Sequence, residues 1–242
     1  MYERLHQLIN DLESMKKEPF IGYGNPDAKI LIVGKECADQ ENSNNWNLFF
    51  KPNFKQWRDS FNTHGFGFKD NDGLSTYNFD NHYFHPIFPY YRQHHTMSQK
   101  DNRHTSQTWY YYQRLVDMIR VGNANERIKD KERWIDFFND CFITELNDIC
   151  RPNNKGIGKN GLGKETERHI RERFDWMRKT NFFNQFQVVI LACGPYADAI
   201  KKDEILKKDL FGEAYVVYCG QLSRWDKRLE EKIPEIYKRL HF

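Results

Sequence analysis

Cysteine is scarce in this chain and poorly spaced for a structural role. Five stand at positions 37, 141, 150, 193 and 219, an odd number with no C-x-x-C pair. Neither a disulfide framework nor a zinc ribbon is indicated, and reduced thiols in a cytoplasmic protein are expected. No apolar run approaches the ~20 residues of a membrane-spanning helix, so no membrane partner is expected. The first residues form an amphipathic pattern with acids in it and do not read as a secretory leader. Charge of one sign is in little excess: a formal net charge of +3 permits a nucleic-acid partner without requiring one. The sequence has no internal repeat and no linker that clearly splits it. Aromatic side chains are abundant, at 16% of 242 residues. Such an excess means a heavily packed core or surfaces that stack on planar ligands. With 39% hydrophobic and 29% charged residues, the composition suits a globular protein with a real core. One domain over residues 1–242, with a large insertion at about 40–140, is the expected organisation.

The stretch around which the chain is arranged is residues 21–39. A turn from Gly22 to Asp27 runs into a short apolar strand, Ile30 to Val33, which breaks at Gly34 into a polar loop. Glycine at a strand end allows a sharp turn and the close approach of a ligand. In open α/β sheets ligands sit beyond the carboxyl ends of the strands. Lys35, Glu36 and Asp39 therefore fall where chemistry is usually done, or else are solvated charges of a simple turn.

Along the chain, Leu5, Leu8, Ile9, Leu12 and Met15 predict a helix over residues 2–17 that Pro19 ends. Residues 40–106 are polar and aromatic and carry His82, His85, His94, His95 and His104. The H-x-x-H spacing of His82 and His85 suits a metal, yet no acid or cysteine completes a ligand set, so no metal site is expected. Helices are predicted at 107–120 and 126–139, with Gly122 and Asn123 between them. A second strand follows from Cys141 to Leu146. Residues 151–164 form a basic glycine-rich loop containing a literal G-x-G-x-x-G at Gly156, Gly158 and Gly161. A dinucleotide site is rejected, because Pro152 and several polar residues separate the first glycine from the strand. Arg151, Lys155, Lys159 and Lys164 of this loop remain candidates for phosphate contacts. A helix at 165–180, a strand from Val188 to Ala192, a helix beginning at Gly194 and Pro195, a strand from Tyr215 to Tyr218 and a last helix at 226–240 complete the reading. Pro234 is expected to interrupt the last helix. Strands separated by helical stretches mean a mostly parallel sheet with helices on both faces. The predicted fold class is a three-layer α/β/α arrangement with a central four-stranded parallel sheet.

Four pieces, in this order, resemble the uracil-DNA glycosylase superfamily. Gly24-Asn-Pro-Asp-Ala-Lys-Ile-Leu-Ile-Val-Gly34 is similar to the family's first strand, G-N-P-x-A-x-I-x-x-V-G. Phe142-Ile-Thr-Glu-Leu-Asn-Asp-Ile-Cys-Arg-Pro152 is similar to its second strand, I-T-N-x-V-K-C-R-P-P in the iron–sulfur class. Val188-Val-Ile-Leu-Ala-Cys-Gly-Pro-Tyr-Ala197 resembles the third strand and its turn. Val216-Val-Tyr-Cys-Gly-Gln-Leu-Ser223 stands where the family has its H-P-S motif. The resemblance covers roughly half the chain and implies a uracil-DNA glycosylase-like fold with DNA or another nucleic acid as partner. Glu36 then matches the water-positioning Asp or Asn, Glu145 the asparagine that reads the base edge, and Gln221 the histidine that stabilises the departing base. Lys35, Phe49, Phe50, Asn147 and Ser223 are the remaining candidates for base contacts. Phe49 or Phe50 would be the stacking face if neither is core. Arg151, Lys155, Lys159, Leu222 and Arg224 are candidates for nucleic-acid contacts. Leu222, Arg224 and Trp225 stand where the family wedges a side chain into the duplex, with buried packing the alternative for Trp225. Only Cys150 matches a cluster ligand of the iron–sulfur class, so neither an iron–sulfur cluster nor any other cofactor is expected.

Breaking an N-glycosidic bond needs a carboxylate to position water, a donor for the charge developing on the base, and a pocket for the flipped base. Glu36 suits the first task. Gln221 donates a hydrogen bond but carries no charge. An ionised Glu145 repels uracil carbonyls and accepts instead from an exocyclic amine or a ring N–H. Three functions follow as expectations: a base N-glycosylase acting on a damaged or modified base, a catalytically inactive nucleic-acid-binding module of the same fold, or a hydrolase of a nucleoside-type small molecule.

Overall fold

The computed structural model describes residues 3–35, 51–63, 93–101, 103–125, 133–149 and 163–241. The first helix, α1 (Glu3–Ser14), buries Leu5, Leu8, Ile9 and Leu12 along one stripe, as their spacing predicts. It stops well before Pro19. Lys16 takes a left-handed φ of 53°, and the Lys17 amide closes back on the Leu12 carbonyl, which satisfies the helix end without the proline.

Five strands form one mixed sheet: β1 (Tyr23–Gly24), β2 (Ile30–Gly34), β3 (Cys141–Glu145), β4 (Val188–Leu191) and β5 (Tyr215–Tyr218), in the order β1-β3-β2-β4-β5. The expected four parallel strands are present, and the expectation of a purely parallel four-stranded sheet is corrected by β1. That two-residue strand lies inside the predicted turn and pairs antiparallel with β3, Tyr23 opposite Ile143 and Gly24 opposite Phe142. Its glycines are what admit it. Gly22 and Gly24 have φ of 145° and 91°, and a Cβ on either would lie within 2.4 Å of a β3 carbonyl oxygen.

The central strands β2 and β4 read as continuous apolar runs because both faces of the sheet are covered there. Leu31, Val33, Phe142, Val189 and Leu191 face a cluster built by α1, α2 (Asn53–Thr63), α4 (Lys164–Lys179), α5 (Asp198–Lys202) and α6 (Glu204–Phe211). Ile30, Ile32, Ile143, Val188 and Ile190 face a second cluster built by α3 (Gln107–Val121) and α7 (Ile233–His241). The α3 helix is capped by the Ser106 side chain, which accepts from the Trp109 amide, and by left-handed Gly122. Pro234 falls in the first turn of α7, where a missing N–H is tolerated, and a 3₁₀ segment (Lys227–Lys232) precedes it. The predicted helix over 226–240 is therefore two pieces.

The predicted helix over 126–139 is not formed in its described part. Residues 133–136 are irregular, Trp134 bridges to His94, and only Phe137–Asn139 makes a 3₁₀ turn. The cause is a side chain from another element. Buried Gln113 Oε1 on α3 accepts from the amides of Asp136 and Phe137 at 2.7 and 3.0 Å, and its Nε2 donates to Asp117 and Asp136. Arg120 and Arg133 close the network on Asp117 and Asp136. These ion pairs dock residues 133–136 onto α3.

Candidate functional site

The carboxyl ends of β2 and β4 lie side by side, while the chain leaves β2 toward β3 and leaves β4 toward β5. Connections that diverge from adjacent strand ends open a crevice between them, where open α/β sheets bind ligands. Lys35 stands at one side of that point and the Gly194–Ala197 turn at the other. Lys35 is 7% exposed, and its Nζ lies 4.9 Å from the ring centroid of buried Tyr196. Its backbone carbonyl accepts from the Asn147 amide at 2.9 Å, and the Gly34 carbonyl accepts from the Leu146 amide at 2.9 Å. The loop after β3 is thereby sewn to the end of β2.

Glu145 is the cross-strand partner of Gly34, and its carboxylate lies over that glycine. The absence of a side chain at Gly34 brings an acceptor group toward the middle of the sheet's carboxyl edge. The electrostatic reach of Glu145 extends along that edge. Burial first and then the Glu145 charge push the Tyr112 phenol upward, and the buried Cys193 thiol at the end of β4 is raised by burial, Cys219 and Glu145. Asn147 is buried, and its Oδ1 accepts from the Ile149 amide at 3.2 Å, so part of its hydrogen-bonding capacity shapes the loop itself.

Arg173 of α4 supports this loop from below. Only 1% exposed, it donates to the Phe20 carbonyl at 2.8 Å and to Thr144 Oγ1 at 2.6 Å, and it lies 3.4 Å from Asp148 Oδ2. Burial pulls its guanidinium below its ordinary pKa. Residue typing alone did not single it out. The available signal was its place between Ile170 and Met177 on the buried stripe of a helix, where a charged side chain needs a partner.

After β5 the chain makes a tight turn. Gln221 and Arg224 are exposed and Ser223 is half-buried. Leu222 is 0% exposed within the core facing α3 and α7. The expectation that Leu222 projects toward a duplex is therefore corrected: the side chain is held by the hydrophobic effect in the core. Trp225 packs rather than projects. Its Nε1 donates to Glu230 at 2.6 Å, and the Arg114 guanidinium covers its ring at 4.1 Å.

Lys35, Glu145, Asn147, Gln221, Ser223 and Arg224 thus all follow or end strands on one edge of the sheet. Glu36, Phe49, Phe50, Arg151, Lys155 and Lys159, with His82, His85 and Cys150, lie outside the described residues. Among the described residues no group of three or more His, Cys, Asp or Glu is arranged to hold a metal ion, and no helix is long and apolar enough to cross a membrane. Comparison of the sequence with protein-family models and with curated proteins finds no match.

Chemically, the edge offers a buried cation, a carboxylate lying on a glycine and a turn carrying amide, hydroxyl and guanidinium groups. That combination suits a planar polar ligand attached to a phosphate-bearing chain.

Proposed function

We propose that this protein binds a base of DNA or another nucleic acid at the carboxyl edge of a uracil-DNA glycosylase-like α/β/α fold and hydrolyses its N-glycosidic bond. One observation supports the reading above the rest. The four segments that resemble the superfamily are β2, β3, β4 and β5, four mutually parallel neighbours in one sheet. Their carboxyl-end loops therefore lie along one edge of the sheet, where a base pocket would be built. In this mechanism Glu36 positions the attacking water and balances the oxocarbenium-like centre. Glu145 accepts a hydrogen bond from the base edge, and Gln221 donates to the leaving base. An acceptor at Glu145 favours a base edge bearing an amine or a ring N–H over plain uracil.

The test is base release from single-stranded and duplex oligonucleotides carrying uracil, hypoxanthine, xanthine or a mismatch, with Glu36→Ala as control. Release that this substitution abolishes supports the mechanism and identifies the base. Release that survives it removes Glu36 from the chemistry. The uncharged Gln221 at the leaving-group position favours a second reading, a binding module without turnover. Retention of the oligonucleotide without release, weakening steeply with salt, would establish that reading instead.

A further inference from the structure

The turn after β5 is anchored at both ends and in its middle. At its start the Gly220 amide donates to Asp226 Oδ2 at 2.9 Å. In its middle Leu222 is fixed in the core. At its end Trp225 is held in plane by Glu230 and on its face by Arg114. Asp226 ties the start of the turn to its end. Its Oδ1 also accepts from the Arg228 amide at 3.1 Å, and both carboxylate oxygens receive the Arg228 guanidinium, at 2.9 and 2.6 Å. These donors hold the Asp226 carboxyl well below the usual carboxylate range, Arg228 contributing most. The carboxylate therefore stays an acceptor across any working pH. The anchors leave three side chains, Gln221, Ser223 and Arg224, outward of the core, where their backbone geometry has been set in advance.

We propose that Asp226 is a positioning residue, which fixes the Gly220–Trp225 turn so that Gln221, Ser223 and Arg224 meet nucleic acid as a preformed set. What the turn recognises rests on the functional reading above; that Asp226 orders it does not. Preorganisation matters because a misplacement of about 1 Å in a positioned group lowers a rate by roughly 100-fold, and a group supporting the contacting residues is worth about 10- to 100-fold.

The experiment uses the full chain with Asp226→Ala and Asp226→Asn, each alone and combined with Gln221→Ala. Two readouts are taken: amide exchange and backbone order at residues 220–225 by NMR, and base release or oligonucleotide retention. In Asp226→Ala the Gly220 amide is expected to exchange at least about tenfold faster and residues 221–224 to lose order. Asp226→Asn, which keeps one acceptor oxygen, restores part of both. Turnover is expected to fall about 10- to 100-fold, and to fall by less when Gln221→Ala is already present. Unchanged order at 221–224 in Asp226→Ala overturns the proposal, as does a full additional loss of turnover in the Gln221→Ala background. Absence of release and retention in the unsubstituted protein counts against the functional reading alone, and the exchange measurement still decides the role of Asp226.

Discussion

Glu145 rests its carboxylate on Gly34: the two are cross-strand partners, and a Cβ built on Gly34 would lie 2.2 Å from Glu145 Oε2 and 2.8 Å from Oε1. The glycine is therefore a space reserved for a functional group at the centre of the sheet edge.

Gly34→Ala is expected to move Glu145 without unfolding the protein. The atoms that a methyl group meets are the mobile end of a long side chain, so the stability cost is about 1 kcal/mol. If the proposed function holds, affinity for an oligonucleotide should fall about tenfold. Thermal denaturation and a binding titration check the pair of outcomes. A large loss of stability with affinity intact would mean that Gly34 serves the fold and not the site.

Arg173→Met removes a buried guanidinium but keeps much of its volume. The Phe20 carbonyl and the Thr144 hydroxyl lose a donor, and Asp148 loses its cation. Breaking such a buried arrangement costs about 3–5 kcal/mol. Urea unfolding measures it, and a loss under about 1 kcal/mol would show that the apolar surroundings of Phe20 and Trp176 carry this corner of the fold instead.

Acid should weaken the packing of the 93–101 segment on α3. His95 is buried, stacks on Tyr110 with ring centroids 4.4 Å apart, and donates through Nε2 to the Tyr110 carbonyl. Burial lowers its pKa from 6.5; the Tyr110 carbonyl, Asp117 and Asp136 oppose the shift and Arg133 assists it. The unfolded chain therefore takes up a proton near pH 6.5 that the folded chain still refuses. Stability from this group is present above that pH and is lost as pH falls through the lower folded value. The urea midpoint should drop between about pH 7.5 and 5.5, and His95→Gln should flatten that slope. An unaltered slope would assign the effect to another group.

The thiols at the core should be silent in the native protein. Cys141, Cys193 and Cys219 are buried, and burial pushes Cys219 up to about 12. At pH 8 its thiolate fraction is then only about 10⁻⁴ before access is considered. Maleimide labelling followed by peptide mapping should find these three cysteines unmodified until denaturant is added. Native labelling of Cys219 would show that the turn after β5 opens.

The four parallel strands were legible because Ile30–Val33, Cys141–Ile143, Val188–Leu191 and Val216–Val217 are short apolar runs that the sheet packs into its core. Helix α1 and helix α3 were legible because a single buried stripe repeats at helical spacing. The loops at the carboxyl ends followed from strand direction, which picked out Lys35, while Glu145 and Gln221 were picked out by the resemblance of their segments to the uracil-DNA glycosylase superfamily. Strand β1 was not legible, since two residues hold no periodicity and its pairing depends on Ile143 and Phe142 more than a hundred positions away. The missing helix at 133–136 was equally hidden, because the group that takes its amides is Gln113, on another element.

By itself the sequence determined that this protein is a mixed α/β chain with parallel apolar strands and polar groups at their carboxyl ends, because periodicity and composition are local properties of neighbouring residues. Only the tertiary structure decided that Glu145 lies on Gly34, that Leu222 is core, that Arg173 is buried beneath the loop after β3 and that Asp226 ties the last turn together. Each of those outcomes depends on which distant atoms fill the space and accept the hydrogen bonds around a side chain, and no local pattern encodes that.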